Sequence, residues 1–203
     1  MNNIVEYLDE LIPNPRCELN YTCDYELLIA TMLSAQTTDK RVNIVTNILF
    51  NKYPTLKELK TANIEDIKQI VRQLGNYNKK SSNVIKIAKI IDEEYNGVVP
   101  NNREVLESLP GVGRKTANVV LANIYDEPCI AVDTHIERVS KRLGLANTSD
   151  DVRTVEDKLT KYFKKYNLNR IHHQLLLFGR YYCKAINPSC NNCKLKNICK
   201  KAS

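Results

Sequence analysis

The chain has 203 residues, 43% of them hydrophobic and 26% charged, and a net charge of +7. That length buries a core without staples, and the positive excess points to a polyanion partner, nucleic acid first. No segment has the length of a membrane span and the acidic start lacks a signal peptide's apolar stretch, so a cytoplasmic protein is expected rather than a membrane or secreted one.

Helical spacing dominates from the start. Residues 27–33 are apolar on nearly all sides, as in a helix buried at a domain centre. Ile64, Ile67, Ile70 and Leu74 share a face, and so do Val84, Ile87, Ala88 and Ile91. Ala117, Val120, Leu121 and Ile124 follow, then Val152, Val155, Leu159 and Phe163. Pro and Gly punctuate these runs, alternating strand patterns are almost missing, and an all-α protein of about nine or ten helices is expected. Ser149 or Asp150 is read as the N-cap of the helix at 152–163.

Between 103 and 117 the pattern sharpens. A short helix at 103–108 runs into Leu109-Pro110-Gly111-Val112-Gly113, and a second helix begins near Arg114. Two glycines one residue apart predict a tight turn with positive φ. The first amides of the second helix have no partner within it, so with the bare glycine backbone they form a site for one phosphate. Such a turn grips a DNA backbone without reading its sequence. Lys115, in the first turn of that helix, is then either a phosphate contact or a nucleophilic amine. Asp133, before Thr134-His135, is either a helix N-cap or a working carboxylate.

Of seven cysteines, four crowd the C-terminus as Cys183, Cys190, Cys193 and Cys199, with spacing C-x6-C-x2-C-x5-C. In a reducing cytosol that pattern predicts a metal centre rather than disulfides. Zinc knuckles usually pair two close cysteine couples, and only Cys190 and Cys193 are that close. The longer arcs favour a [4Fe–4S] cluster over zinc. Residues 183–203 also carry five lysines and no acid, which suits both a thiolate-ligated cluster and phosphates. Cys17, Cys23 and Cys129 are read as small core residues.

Four separated stretches together carry a family resemblance. They are Leu33-Ser34-Ala35-Gln36-Thr37-Thr38-Asp39, the run 109–117, Val132-Asp133-Thr134-His135-Ile136 and the cysteine loop. In these the chain resembles the endonuclease III family of helix-hairpin-helix DNA glycosylases over nearly its whole length. The resemblance implies two helical domains with a DNA-binding cleft between them. One is a six-helix barrel with the hairpin, at residues 20–128; the other combines 1–19 with 129–203 and holds the [4Fe–4S] cluster. It implies a monomer acting in the cytoplasm, on the nucleoid, on double-stranded DNA with a damaged pyrimidine or an abasic site. The activity implied is that of a bifunctional N-glycosylase and apurinic/apyrimidinic lyase of base excision repair.

By the same resemblance Lys115 is the attacking amine, Asp133 its carboxylate partner, and Cys183, Cys190, Cys193 and Cys199 the cluster ligands. Gln36 enters the gap left by a flipped base. Gly111, Gly113, Arg114 and Lys184 contact DNA. The chain departs from the family at Gly75-Asn76-Tyr77-Asn78, where an apolar wedge is usual. Asn76 gains little by entering a base stack, so wedging passes to Tyr77 or the contacts to the opposite strand differ. The loop between Cys183 and Cys190 is also less basic than is common. His135, His172 and His173 are read as structural. A mismatch glycosylase of the same fold lacks the lysine, and a non-catalytic DNA-binding module leaves the pairing of Lys115 with Asp133 unexplained.

Overall fold

The computed structural model of the protein describes residues 2–201. Among them there is no strand, and eleven α-helices follow one another. These are α1 (Asn2–Leu11), α2 (Asp24–Leu33), α3 (Asp39–Lys52), α4 (Leu56–Lys60), α5 (Ile64–Val71) and α6 (Tyr77–Glu94). They continue as α7 (Arg103–Ser108), α8 (Arg114–Ile124), α9 (Thr134–Arg142), α10 (Val152–Tyr162) and α11 (Leu168–Leu177). The excess over nine or ten comes from elements such as α4, whose five residues are too short to show a period. That helix exists because Thr55 and Glu58 cap each other's backbone, a reciprocal box that satisfies two free amides.

The chain divides into two compact units. One is Cys17–Tyr125; the other joins Met1–Arg16 to Asp126–Ser203. In the first, α2 runs through the centre with Leu27, Leu28, Ile29 and Leu33 at zero exposure. Around it α3, α5, α6 and α8 turn inward the apolar stripes that their spacing dictates, including Val45, Leu49, Ile67, Ile87, Ile91 and Val120. In the second unit, Phe163, Leu159 and Val155 of the α10 stretch pack with Leu8 of α1, Ile136 and Val139 of α9, and Leu175 of α11. A polar tie reinforces α1 against α11, because Asp9 Oδ1 accepts from Arg170 Nη2 at 2.7 Å and from Gln174 Nε2 at 2.8 Å. Those bonds, Gln174's first, hold the Asp9 carboxyl below the usual carboxylate range.

The start of α10 differs from its expected cap. Asp151, not Ser149 or Asp150, is the N-cap, its Oδ1 accepting from Thr154 N at 2.8 Å. Asp150 instead turns back to accept from Asn147 N at 2.7 Å and pairs with Lys158 at 2.5 Å.

Candidate functional site

Helix α7 opens on Asn102, whose side chain accepts from Val105 N at 3.0 Å, and ends where Leu109 turns extended ahead of Pro110. Arg103 hydrogen-bonds the buried Asn118 and so fastens α7 to α8. Within the turn the two glycines do different work. Gly111 has φ +78, and a Cβ there would collide with Nδ2 of Asn83 on α6. Gly113 has φ −110, an ordinary extended value, and a Cβ there would meet nothing within 4 Å. The positive φ expected of this turn is therefore present, and it falls on Gly111. The turn reverses at Gly111 alone, whereas Gly113 is the N-cap of α8 and leaves bare backbone where that helix begins.

Lys115 stands in the first turn of α8, exposed, with no ion pair among the described residues. Arg114 beside it is half-buried and partnered within the fold. Asp133 is half-buried at the head of α9. Its Oδ1 takes both capping bonds, from His135 N and Ile136 N at 2.9 Å each, leaving Oδ2 outside the cap. His135 is half-buried, with Nδ1 3.2 Å from Arg138 Nη2. His172 and His173 are buried on α11, and burial pushes His173 down to about 4, so it is neutral at physiological pH.

Gln36 and Asn76 share an unusual backbone. Gln36 has φ 59 and Asn76 φ 47, both left-handed, and both side chains are exposed. A non-glycine residue held there costs roughly 1–2 kcal/mol, with Asn among the better tolerated. This supplies a local reason for Asn at 76 that the sequence did not show. The Asn76 side chain makes no cap bond at the start of α6. Tyr77 is half-buried, lining a cavity of about 250 Å³ with Lys68, Gln69 and Arg72.

The four C-terminal cysteines line one cavity of about 260 Å³ with Tyr7, Leu143, Phe178 and Tyr182. Among the described residues no three Cys, His, Asp or Glu side chains close into a single-ion site. Two arginines of α9, which the sequence reading passed over, anchor the loop. Arg138 donates to Gly179 O at 2.7 Å and Cys183 O at 3.2 Å. Arg142 Nη1 lies 3.3 Å from Cys183 Sγ and donates to Lys184 O at 2.7 Å, while the Lys184 side chain is exposed. Their i,i+4 spacing was the available signal, though it reads equally as a solvated face. Cys129 is buried, and Cys17 and Cys23 are half-buried.

Residues 29–165 match the HhH-GPD superfamily of base excision DNA repair proteins. Endonuclease III of Bacillus subtilis (strain 168) is 43% identical over 97% of this chain and 90% of its own. The chain belongs to the endonuclease III family. Two solved structures of that family superpose closely. One, a non-covalent endonuclease III–DNA complex, has a TM-score of 0.94 at 43% identity, covering 99% of this chain and 94% of that one. The other, a trapped endonuclease III–DNA covalent intermediate in an estranged-adenine complex, has a TM-score of 0.92 at 45% identity, covering 99% and 96%. The all-helical family fold expected from the motifs is borne out. No helix among the described residues is long and apolar enough to cross a membrane.

Proposed function

We propose that the protein is a bifunctional DNA N-glycosylase and apurinic/apyrimidinic lyase that removes oxidised pyrimidines, thymine glycol among them, and works on the chromosome in the cytoplasm. The observation that carries this is Lys115, an exposed and unpaired amine two residues after the bare backbone of Gly113. A phosphate seated on the amides at the head of α8 draws a DNA backbone to within reach of that amine. The relatives' DNA complexes, one of them covalent, support the same reading.

In this reading the damaged nucleotide leaves the stack, at low cost because such bases stack poorly. The neutral Nζ of Lys115 attacks C1′, the C1′–N bond breaks, and its electron pair leaves with the base, which takes up a proton. Loss of the amine proton and opening of the sugar give an imine between Nζ and C1′. Removal of a C2′ proton then expels the 3′ phosphate oxygen by β-elimination, and water hydrolyses the imine to free the lysine. Asp133 supplies negative charge that stabilises the cationic sugar and assists proton movement, using the oxygen outside its cap. Gly111, Gly113, Arg114 and Lys184 hold backbone phosphates. Gln36 fills the vacated space and bonds the widowed base, with Asn76 and Tyr77 beside the opposite strand.

Cys183, Cys190, Cys193 and Cys199 are proposed to hold a [4Fe–4S] cluster. A cavity of about 260 Å³ ringed by four thiols suits a cube of atoms, and Arg142 near Cys183 Sγ offsets thiolate charge. Bound there, the cluster is a covalent staple for the loop at 183–199.

The test is borohydride trapping on a thymine glycol duplex. Wild type is expected to give a covalent protein–DNA adduct and Lys115→Ala none. An adduct from the variant, or none from wild type, overturns the assignment. Asp133→Asn is expected to retain DNA binding and lose about 10²-fold or more in excision rate.

A further inference from the structure

Helix α6 carries two consecutive lysines, Lys79 and Lys80, that the sequence does not distinguish. Lys79 is exposed, but Lys80 is 6% exposed and has no ion pair among the described residues. Its ammonium donates to Ala35 O at 2.9 Å, Leu74 O at 2.8 Å and, more weakly, Thr37 Oγ1 at 3.4 Å. Three N–H donors thus meet three neutral oxygens. Thr37 Oγ1 itself donates to Leu74 O at 2.8 Å, which closes the network. Burial pushes the amine below its ordinary range, so holding a cation here is costly.

The two carbonyls are what give the arrangement meaning. Ala35 O belongs to the peptide plane that sets φ of Gln36, and Gln36 is left-handed at φ 59. Leu74 O belongs to the plane that enters Gly75 at φ 67, followed by Asn76 at φ 47. Turning either plane breaks a bond to Lys80. One buried amine therefore holds two separate turns in their sparsely populated conformations and fixes them to each other.

We propose that Lys80 is a positioning residue for recognition of the base opposite the lesion. It presets the Gln36 turn and the Gly75–Asn76 turn as one rigid element, so neither has to order itself when DNA binds. The proposal rests on the reading of Gln36 given above. Without the clamp both turns relax, and Gln36 loses its fixed direction toward the widowed base.

The experiment uses the full chain and a duplex with a reduced abasic analogue opposite 2-aminopurine, guanine or adenine. Wild type is expected to change the 2-aminopurine fluorescence and to bind the guanine and adenine duplexes with different affinities. Lys80→Met is expected to lose about tenfold in affinity and most of that contrast, since ordering two loops now opposes binding. Borohydride trapping on an abasic duplex at saturating enzyme is expected to fall by less than about threefold, chemistry being less affected than recognition. The deciding measurement is a double-mutant cycle. If Lys80 acts through Gln36, then Lys80→Met has little further effect on the contrast in a Gln36→Ala background. Additive effects, or an intact contrast in Lys80→Met, overturn the proposal. If Lys80→Met does not fold, Thr37→Val, which removes one acceptor, carries the test with the same cycle. Failure of wild type to trap an abasic duplex would instead sink the glycosylase reading itself.

Discussion

Gly111 and Gly113 look alike as letters and differ as residues. At Gly111 both the positive φ and the packing of Asn83 exclude a side chain, so Gly111→Ala is expected to cost about 2 kcal/mol or more in denaturant unfolding. At Gly113 the fold asks for no glycine beyond a mild N-cap preference, so Gly113→Ala is expected to cost under about 1 kcal/mol. Its methyl group, however, stands where a phosphate is proposed to sit. DNA affinity is expected to fall about tenfold by anisotropy while the unfolding midpoint barely moves. The reverse result would make Gly113 structural and leave the phosphate site without its bare backbone. A second test at this scale concerns pH. His173 has an ordinary value near 6.5 unfolded and about 4 folded. The unfolded state therefore binds the extra proton between those values, and stability falls as pH drops from about 6.5 to about 4. The loss is about 3 kcal/mol in all. His173→Gln is expected to flatten that slope in urea melts run across this window.

At the scale of elements, caps account for where helices begin. Asn63, Asn102, Asp133, Asp151 and Asn167 each accept a backbone amide at a helix head. Asp151→Ala is expected to destabilise by about 1 kcal/mol through the lost cap of α10. Asp150→Ala is expected to cost less, since its bond to Asn147 is exposed and its ion pair has a solvent-accessible Lys158 end, although the Asp150 carboxylate itself is largely covered. Thermal melts of the two variants separate them. In the proposed mechanism Asp133 serves two purposes. The cap uses Oδ1 alone, so a carboxylate whose place is fixed by its helix keeps an oxygen for chemistry. The helix periods, the hairpin and most breaks were legible because they depend on neighbours three or four residues apart. The choice among Ser149, Asp150 and Asp151 was not, because several good capping residues in a row are separated only by the path of the chain.

At the scale of the whole molecule the C-terminal loop is the part least able to hold itself. Cys190, Asn191 and Asn192 and then Lys196–Ile198 form only short 3₁₀ turns, and most of residues 184–200 are exposed. Cys183, Cys193 and Cys199 nevertheless pack against the core of their unit beside Leu195. Replacing Cys193 by Ser is expected to drop iron and sulfide from four per chain to below one. It should lower the melting temperature by roughly 5 °C or more. Trypsin should then cut first among Lys194, Lys196 and Lys200. Iron analysis and limited digestion check both parts, and a variant with full iron content would remove Cys193 from the ligand set.

What the sequence determined by itself was local. Helical period, the Pro-Gly-x-Gly turn before Arg114 and Lys115, and the spacing of four cysteines lie within short runs of chain, and the chemistry proposed for them rests on that spacing. What only the tertiary structure decided was everything set by contacts across long separations. Asn83 lies 28 residues before the glycine it pins, and Lys80 lies 45 and 6 residues from the carbonyls it joins. Burial separates Lys80 from Lys79, and a backbone angle separates Gly111 from Gly113. A side chain's environment is made by the elements that fold over it, and the letters on either side do not record which those are.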